Sequence, residues 1–206
     1  MNIQDIQPIL DAMPEKMLIH ANNTAVLSYS MGKAINCSGL ECEQLWFAGL
    51  LHEAGKLLID KILTYELPIE LTKMTTRSKN KKHILFTLAL FKLYQPLESY
   101  NDVRSIIFQT FENVDGTGEP NKIIAEEIDT LAKVVRIASE YDNYRLKGLA
   151  HDQACKELKN NAGIIFPPKI IMPFIKTVVV NGLHKEYIEE NHYEIGGAPD
   201  FDLETF

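Results

Sequence analysis

Apolar positions along this chain recur at spacings of three and four residues and never alternate long enough to mark a strand, so the pattern predicts an all-α bundle. A short helix over residues 3–12 closes at Pro14. A second runs from Glu15 to Asn36, with Ile19, Val26 and Leu27 as its apolar face, and ends at the Cys37-Ser38-Gly39 break. The third, entered near Glu41, is apolar on every face from Leu45 to Ile59 except at His52, Glu53 and Lys56. A helix that is hydrophobic all round belongs in a core, where an imidazole beside a carboxylate is costly unless both have partners. Consecutive helical residues point about 100° apart, so His52 and Glu53 can both reach one ion near the helix end.

Further on, short turns are expected from Asp60 to Leu71, with a break at Pro68. Helices follow over Lys79–Tyr94 and Asn101–Glu112. Asp115-Gly116-Thr117-Gly118-Glu119-Pro120 carries strong turn chemistry. A long amphipathic helix spans Glu127–Arg145 with Leu131, Val134, Val135, Ala138 and Tyr141 inward, and two more cover His151–Asn160 and Pro168–Val180. Pro167-Pro168 suits the first turn of the last of these.

Composition narrows the class. With 206 residues, 46% hydrophobic and 24% charged, the chain reads as one compact soluble domain over residues 1–183, followed by an acidic, partly ordered tail over 184–206. No apolar run approaches the roughly 20 residues that span a bilayer, and the first residues lack the plan of a signal peptide. Cys37, Cys42 and Cys155 are odd in number and share no CxxC spacing, as expected of reduced thiols in a bacterial cytoplasm. The net charge of −7 resides in the tail: seven acids and no Lys or Arg lie beyond Glu186 inclusive, leaving 21 acids against 21 bases elsewhere. A neutral body of this kind is a poor match for duplex nucleic acid. Lys73, Arg77, Lys79, Lys81 and Lys82 make a local basic cluster before His83; it is either a solvated helix entrance or an attractor for a phosphorylated ligand, an acidic partner or the tail itself.

His20 precedes His52 by 32 residues. With His52-Glu53-Ala54-Gly55-Lys56, His83, the Thr110–Pro120 block, Ala138-Ser139-Glu140-Tyr141-Asp142-Asn143 and Ala162-Gly163-Ile164-Ile165-Phe166-Pro167, it forms six motifs in order. In these the chain resembles the HD superfamily of metal-dependent phosphohydrolases, and within it the HD-GYP branch that hydrolyses cyclic di-GMP. The resemblance runs from about Glu15 to Lys176. It implies a helical HD-domain bundle and metal ligands at His20, His52, Glu53 and His83. It also implies a catalytic and phosphate-contacting role for Lys56, and substrate contacts at Lys56, Asp115, Gly116 and Gly118 on the pocket side of the turn.

The departures from that family bear on function. The HD aspartate is Glu53, and the paired histidines of the GYP block are Thr110 and Phe111. The aspartate of the ADxYDA pattern is Ser139, the glutamate expected before the first histidine is Lys16 beside Glu15, and the GYP tyrosine is Glu119. The loop after the YDA pattern is cut to Asn143-Tyr144-Arg145. Glu140 and Asp142 flank the missing aspartate but point elsewhere on the helix; Asp142 is expected to cap or salt-bridge a surface helix. The four surviving donors suffice for one divalent ion (Fe, Mn, Mg, Zn or Ni) or for none, and a cluster of two or three has lost too many.

Three readings follow. The first is a degenerate HD-GYP-type signalling domain that binds a nucleotide such as cyclic di-GMP, or a protein partner, without two-metal phosphodiesterase activity. The second is a mononuclear phosphohydrolase acting on a phosphomonoester, a nucleotide or cyclic di-GMP. The third is an interaction module in which His52, Glu53 and Lys56 are only a buried polar network.

Overall fold

The computed structural model describes residues 1–58 and 82–184. These form helices α1 (Ile3–Asp11), α2 (Glu15–Ala34), α3 (Gly39–Leu51), α4 (Lys82–Leu93), α5 (Asn101–Gln109), α6 (Thr130–Leu146), α7 (His151–Asn160) and α8 (Pro168–Val180), with a 3₁₀ turn at Gln95–Leu97. Among the described residues there is no strand, only isolated bridges between Asp115 and Ile124 and between Ala162 and Phe166. The turns expected over Asp60–Leu71, the basic cluster from Lys73 to Lys81 and the tail from Lys185 onward lie outside the described residues.

Helix starts follow local chemistry. Ser38 Oγ accepts from Glu41 N at 3.2 Å while Glu41 Oε2 accepts from Ser38 N at 2.8 Å. This reciprocal box starts α3 at Gly39 rather than near Glu41. Asp129 Oδ1 accepts from Leu131 N at 2.7 Å, so the long helix expected from Glu127 begins at Thr130.

The core is a continuous apolar cluster in which α2 and α3 form the central pair and α6 lies across them. Leu45, Phe47, Leu50 and Leu51 from α3 meet Ala25 and Met31 from α2 and Val134, Val135, Ile137 and Tyr141 from α6, all buried. Each large side chain among them contributes about 1.5–3 kcal/mol by leaving water. The α2–α3 contact is backbone to backbone: a Cβ on Gly49 would lie 2.5 Å from Ala25 Cα.

That closeness corrects the sequence reading of α2. Val26 faces solvent at 43% exposure and Ile19 is half-buried, whereas Leu27 is buried as expected, together with His20, Asn23, Thr24, Ala25, Ser28 and Met31. Opposite Gly49 the inner positions are the small Thr24 and Ala25, because the close approach of α3 leaves no room there for larger ones. No described helix is long and apolar enough to cross a membrane, and Cys37, Cys42 and Cys155 are free thiols.

Candidate metal centre

Helix α3 ends at Leu51, so His52 caps it and the expected continuation through Glu53 is a turn. Ala54 N donates to Leu51 O at 2.9 Å and Lys56 N to Glu53 O at 2.8 Å. Gly55 N donates to Thr87 Oγ1 at 2.8 Å, which pins the turn to α4. His52 keeps helical angles, φ −57° and ψ −26°, and the turn that follows carries Glu53 beside it.

Each imidazole is held from behind. His52 Nδ1 donates to Gly49 O at 2.7 Å. His20 Nδ1 donates to Asp142 Oδ2 at 2.6 Å, and the other oxygen of Asp142 accepts from Asn23 Nδ2 at 2.8 Å. A carbonyl and a doubly accepting carboxylate can only take protons, so both rings carry hydrogen on Nδ1. Their Nε2 atoms then face each other as lone pairs, 3.2 Å apart. Ser139 Oγ sits 3.1 Å from the His52 nitrogen and 3.3 Å from that of His20. Glu53 Oε2 is 3.8 Å from His20 Nε2 and also pairs with the Lys56 ammonium. Ligand atoms of His20, His52 and Glu53 all lie within 4.8 Å of one another.

This donor set fits a divalent ion. Two neutral imidazoles and a hydroxyl offer three lone-pair atoms to one small volume and a single proton to share among them. At least one buried acceptor is left facing another acceptor, a cost that a cation removes. The 3.2 Å spacing of the nitrogens is that of neighbouring ligands each about 2.1 Å from one metal. Backing of a ligating histidine by a carboxylate is a usual accompaniment of such sites.

Electrostatics agree with a neutral His52 ring. Burial pushes the His52 imidazole down to about 3, with His20 and His83 acting in the same direction and Glu53 against it. Burial alone would raise Glu53, but His52, His20 and Lys56 outweigh it and hold the carboxyl at about 2. Since His52 is neutral near pH 7, Lys56 is the lasting cation beside that carboxylate. The lysine side chain remains 43% exposed.

Beyond this cluster an aromatic wall begins. Phe111 stacks on His52 with centroids 6.1 Å apart and meets His83 edge-on at 4.8 Å. His83 is buried but does not join the His20–His52–Glu53 group. Thr110 is buried and donates its hydroxyl to Ile106 O at 2.9 Å within its own helix end, so it offers no hydroxyl proton to the site. The Arg136 guanidinium lies 5.4 Å from the Phe111 centroid and pairs with Glu140 at 2.9 Å.

Asp142 corrects the sequence reading. It is fully buried and grips His20 rather than capping a surface helix. It follows Ser139 by three residues, on the same face of α6, and that spacing was the available signal. Asn23, three residues after His20, carried the same signal and was missed.

The turn after α5 stands apart from these distances. Asp115 Oδ1 accepts from Thr117 N at 2.9 Å and from Thr117 Oγ1 at 2.6 Å, and these bonds lower the pKa of its carboxyl. Gly116 sits at φ +79°, where a side chain is strained. Gly118 is packed against Glu112 and Asn113. Glu112 Oε1 accepts from Asn121 N at 2.5 Å and so ties down the far side of the loop.

The family model described as HD domain matches residues 5–170. Cyclic di-GMP phosphodiesterase PdeB of Borreliella burgdorferi is 28% identical over 151 residues, covering 72% of this chain and 36% of that protein. The solved structure from V. cholerae of cyclic GMP-AMP specific phosphodiesterases, V-cGAP3, superposes with a TM-score of 0.66 at 19% identity. That match covers 88% of this chain and 48% of the other. The chain thus spans about a third of the one protein and about half of the other.

Proposed function

The chain belongs to the HD-domain family, and we propose that it is a single-metal signalling member that binds a cyclic dinucleotide without two-metal hydrolysis. The observation that carries this reading is Phe111. Its ring packs against both His52 and His83, where the resembled family has a histidine ligand. A phenyl group supplies no donor atom, so the donors that converge are those of His20, His52 and Glu53.

A divalent ion held there supplies positive charge to a phosphate oxygen and acidifies bound water. The chain's own residues do the rest. Asp142 and Gly49 fix the two imidazoles in the tautomer that presents Nε2. Glu53 supplies the anionic donor, and Lys56, half exposed beside it, is positioned to meet a second phosphate oxygen. The turn at Asp115, Gly116 and Gly118 is proposed as the opposite lip of the ligand site, and His83 as a wall of it. The names of PdeB and V-cGAP3 support cyclic dinucleotides as the ligand class.

A second reading, a mononuclear phosphohydrolase, is favoured by the pairing of Lys56 with Glu53, which leaves a cation next to a site that can activate water. One experiment separates the two: cyclic di-GMP is mixed with the protein and Mn²⁺, and bound and linear dinucleotide are both measured. Metal-dependent retention of intact ligand supports the binding reading; enzyme-like release of linear product overturns it in favour of hydrolysis.

A further inference from the structure

We propose that Arg136 is a specificity residue of the ligand site, a buried cation that exchanges its partner Glu140 for a phosphate oxygen when ligand arrives; this rests on the cyclic-dinucleotide reading above. The Arg136 guanidinium lies over the Phe111 ring, 5.4 Å from its centroid, and Phe111 in turn stacks on His52. On α6, Arg136 stands one turn before Ser139 and Glu140. The charge of Glu53 also reaches it and stabilises its protonated form. A fixed positive charge therefore borders the donor cluster on the side where Phe111 supplies no donor atom.

The hydrogen bonding of Arg136 is incomplete. A guanidinium carries five N–H donors and keeps its proton throughout the ordinary pH range. Arg136 is only 7% exposed, yet among the described residues its one ion-pair partner is Glu140, whose Oε1 is 2.9 Å from Nη1. Its Nε is buried with no acceptor. Burial lowers the pKa of the group, while Glu140, Tyr144 and Glu53 act in the opposite direction. The Phe111 ring offers the charge a π face but no carboxylate or carbonyl oxygen. A charge removed from water is costly when so sparsely paired, and a single (i, i+4) carboxylate offsets only part of that cost.

The exchange can take place from the surface. The Glu140 side chain is 19% exposed against 8% for that of Arg136, so it can turn to solvent about its own bonds while α6 stays in place. A phosphate group presents two oxygens that match the paired N–H groups of a guanidinium, a fork that the contact through Nη1 leaves unused. Lys56, 43% exposed beside Glu53, is a mobile charge on a long stem; Arg136 is a held one. Selection for phosphate over a lone carboxylate follows from that planar, preset fork.

Cyclic di-GMP is titrated calorimetrically into Mn²⁺-loaded wild type, Arg136→Met, Arg136→Lys and Glu140→Gln, with Mn²⁺ affinity and urea unfolding measured on each. Methionine keeps an apolar contact with Phe111 and drops the charge. The inference expects about tenfold or weaker binding in R136M and a smaller loss in R136K, which keeps the charge without the fork. Binding should be tighter by roughly threefold or more in E140Q, where the competing carboxylate is gone. Mn²⁺ affinity should not fall in R136M, since Arg136 holds no metal. An Arg136–Glu140 pair with a structural role alone predicts that E140Q loses stability and binds cyclic di-GMP no better than wild type. That result, or a folded R136M with wild-type affinity, overturns the inference alone; if R136M does not fold, E140Q decides. A wild type that takes Mn²⁺ but no cyclic di-GMP overturns the ligand reading, and this inference with it.

Discussion

His20 and His52 present their Nε2 atoms to each other at 3.2 Å while the opposite nitrogen of each ring is already committed, to Asp142 and to Gly49 O. Two buried acceptors facing each other are unfavourable in the absence of a cation. Such a pair favours a cation between the two nitrogens, as proposed above, although Phe111 beside it offers no donor atom.

The neutral state of His52 gives the fold an acid-sensitive component. Its folded pKa is lowered from 6.5 to about 3, so between those values the unfolded chain binds one more proton and stability falls as pH falls. Glu53, lowered from 4.5 to about 2, acts in the same direction over the lower part of that window. The urea unfolding free energy of the metal-free protein should drop between pH 6.5 and 4, by an amount on the order of a few kcal/mol. The slope should shrink in His52→Gln. A midpoint that is flat over this range would contradict a buried neutral imidazole.

Asp142→Asn tests the support behind the site without touching a ligand. The amide retains the shape but no longer offers two accepting oxygens to His20 and Asn23. Loss of such a backing group costs about 10–100-fold in metal affinity. Calorimetric titration with Mn²⁺ should find that loss; unchanged affinity would mean that His20 needs no orientation.

Phe111→His restores an imidazole to the wall between His52 and His83. Trading the ring for a smaller polar one should destabilise the fold by about 1–3 kcal/mol, yet raise the metal content above one ion per chain at saturating Mn²⁺. Pairing it with Ser139→Asp should raise hydrolysis of cyclic di-GMP above the wild-type level. A double variant that stays at one ion would show that the second position was lost for reasons beyond these two side chains.

Gly49→Val addresses the scaffold. The new branches would run into Ala25, whose Cα lies 2.5 Å from the place of the added Cβ, so α2 and α3 must separate. The expected cost is about 1–3 kcal/mol in urea unfolding, accompanied by weaker metal binding because His20 and His52 ride on those two helices. If Gly49→Val lost stability while metal affinity held, the two histidines would be positioned independently of that helix contact.

Much of this was legible in the chain. The helices His151–Asn160 and Pro168–Val180 run as their punctuation indicates, because Pro167-Pro168 and the Asn161–Gly163 break leave little choice. His20, His52 and Glu53 were legible because their motif spacing is distinctive. The inner face of α2 was not, since Thr24, Ser28 and Asn23 look like surface residues until a glycine-mediated approach puts them in the core. The end of α3 at Leu51 was hidden by continuing hydrophobicity, which marks burial and not helix. Asp142 was misplaced because a helical carboxylate reveals its face only when its neighbours are placed.

The central claim is one ion at His20, His52 and Glu53, and metal content per chain tests it most directly. The purified chain is equilibrated with excess Mn²⁺, freed of unbound metal and analysed for manganese, alongside His52→Ala. The account predicts about one equivalent in the wild type and essentially none in the variant. Two or more equivalents in the wild type, or retention of the ion by His52→Ala, would contradict it.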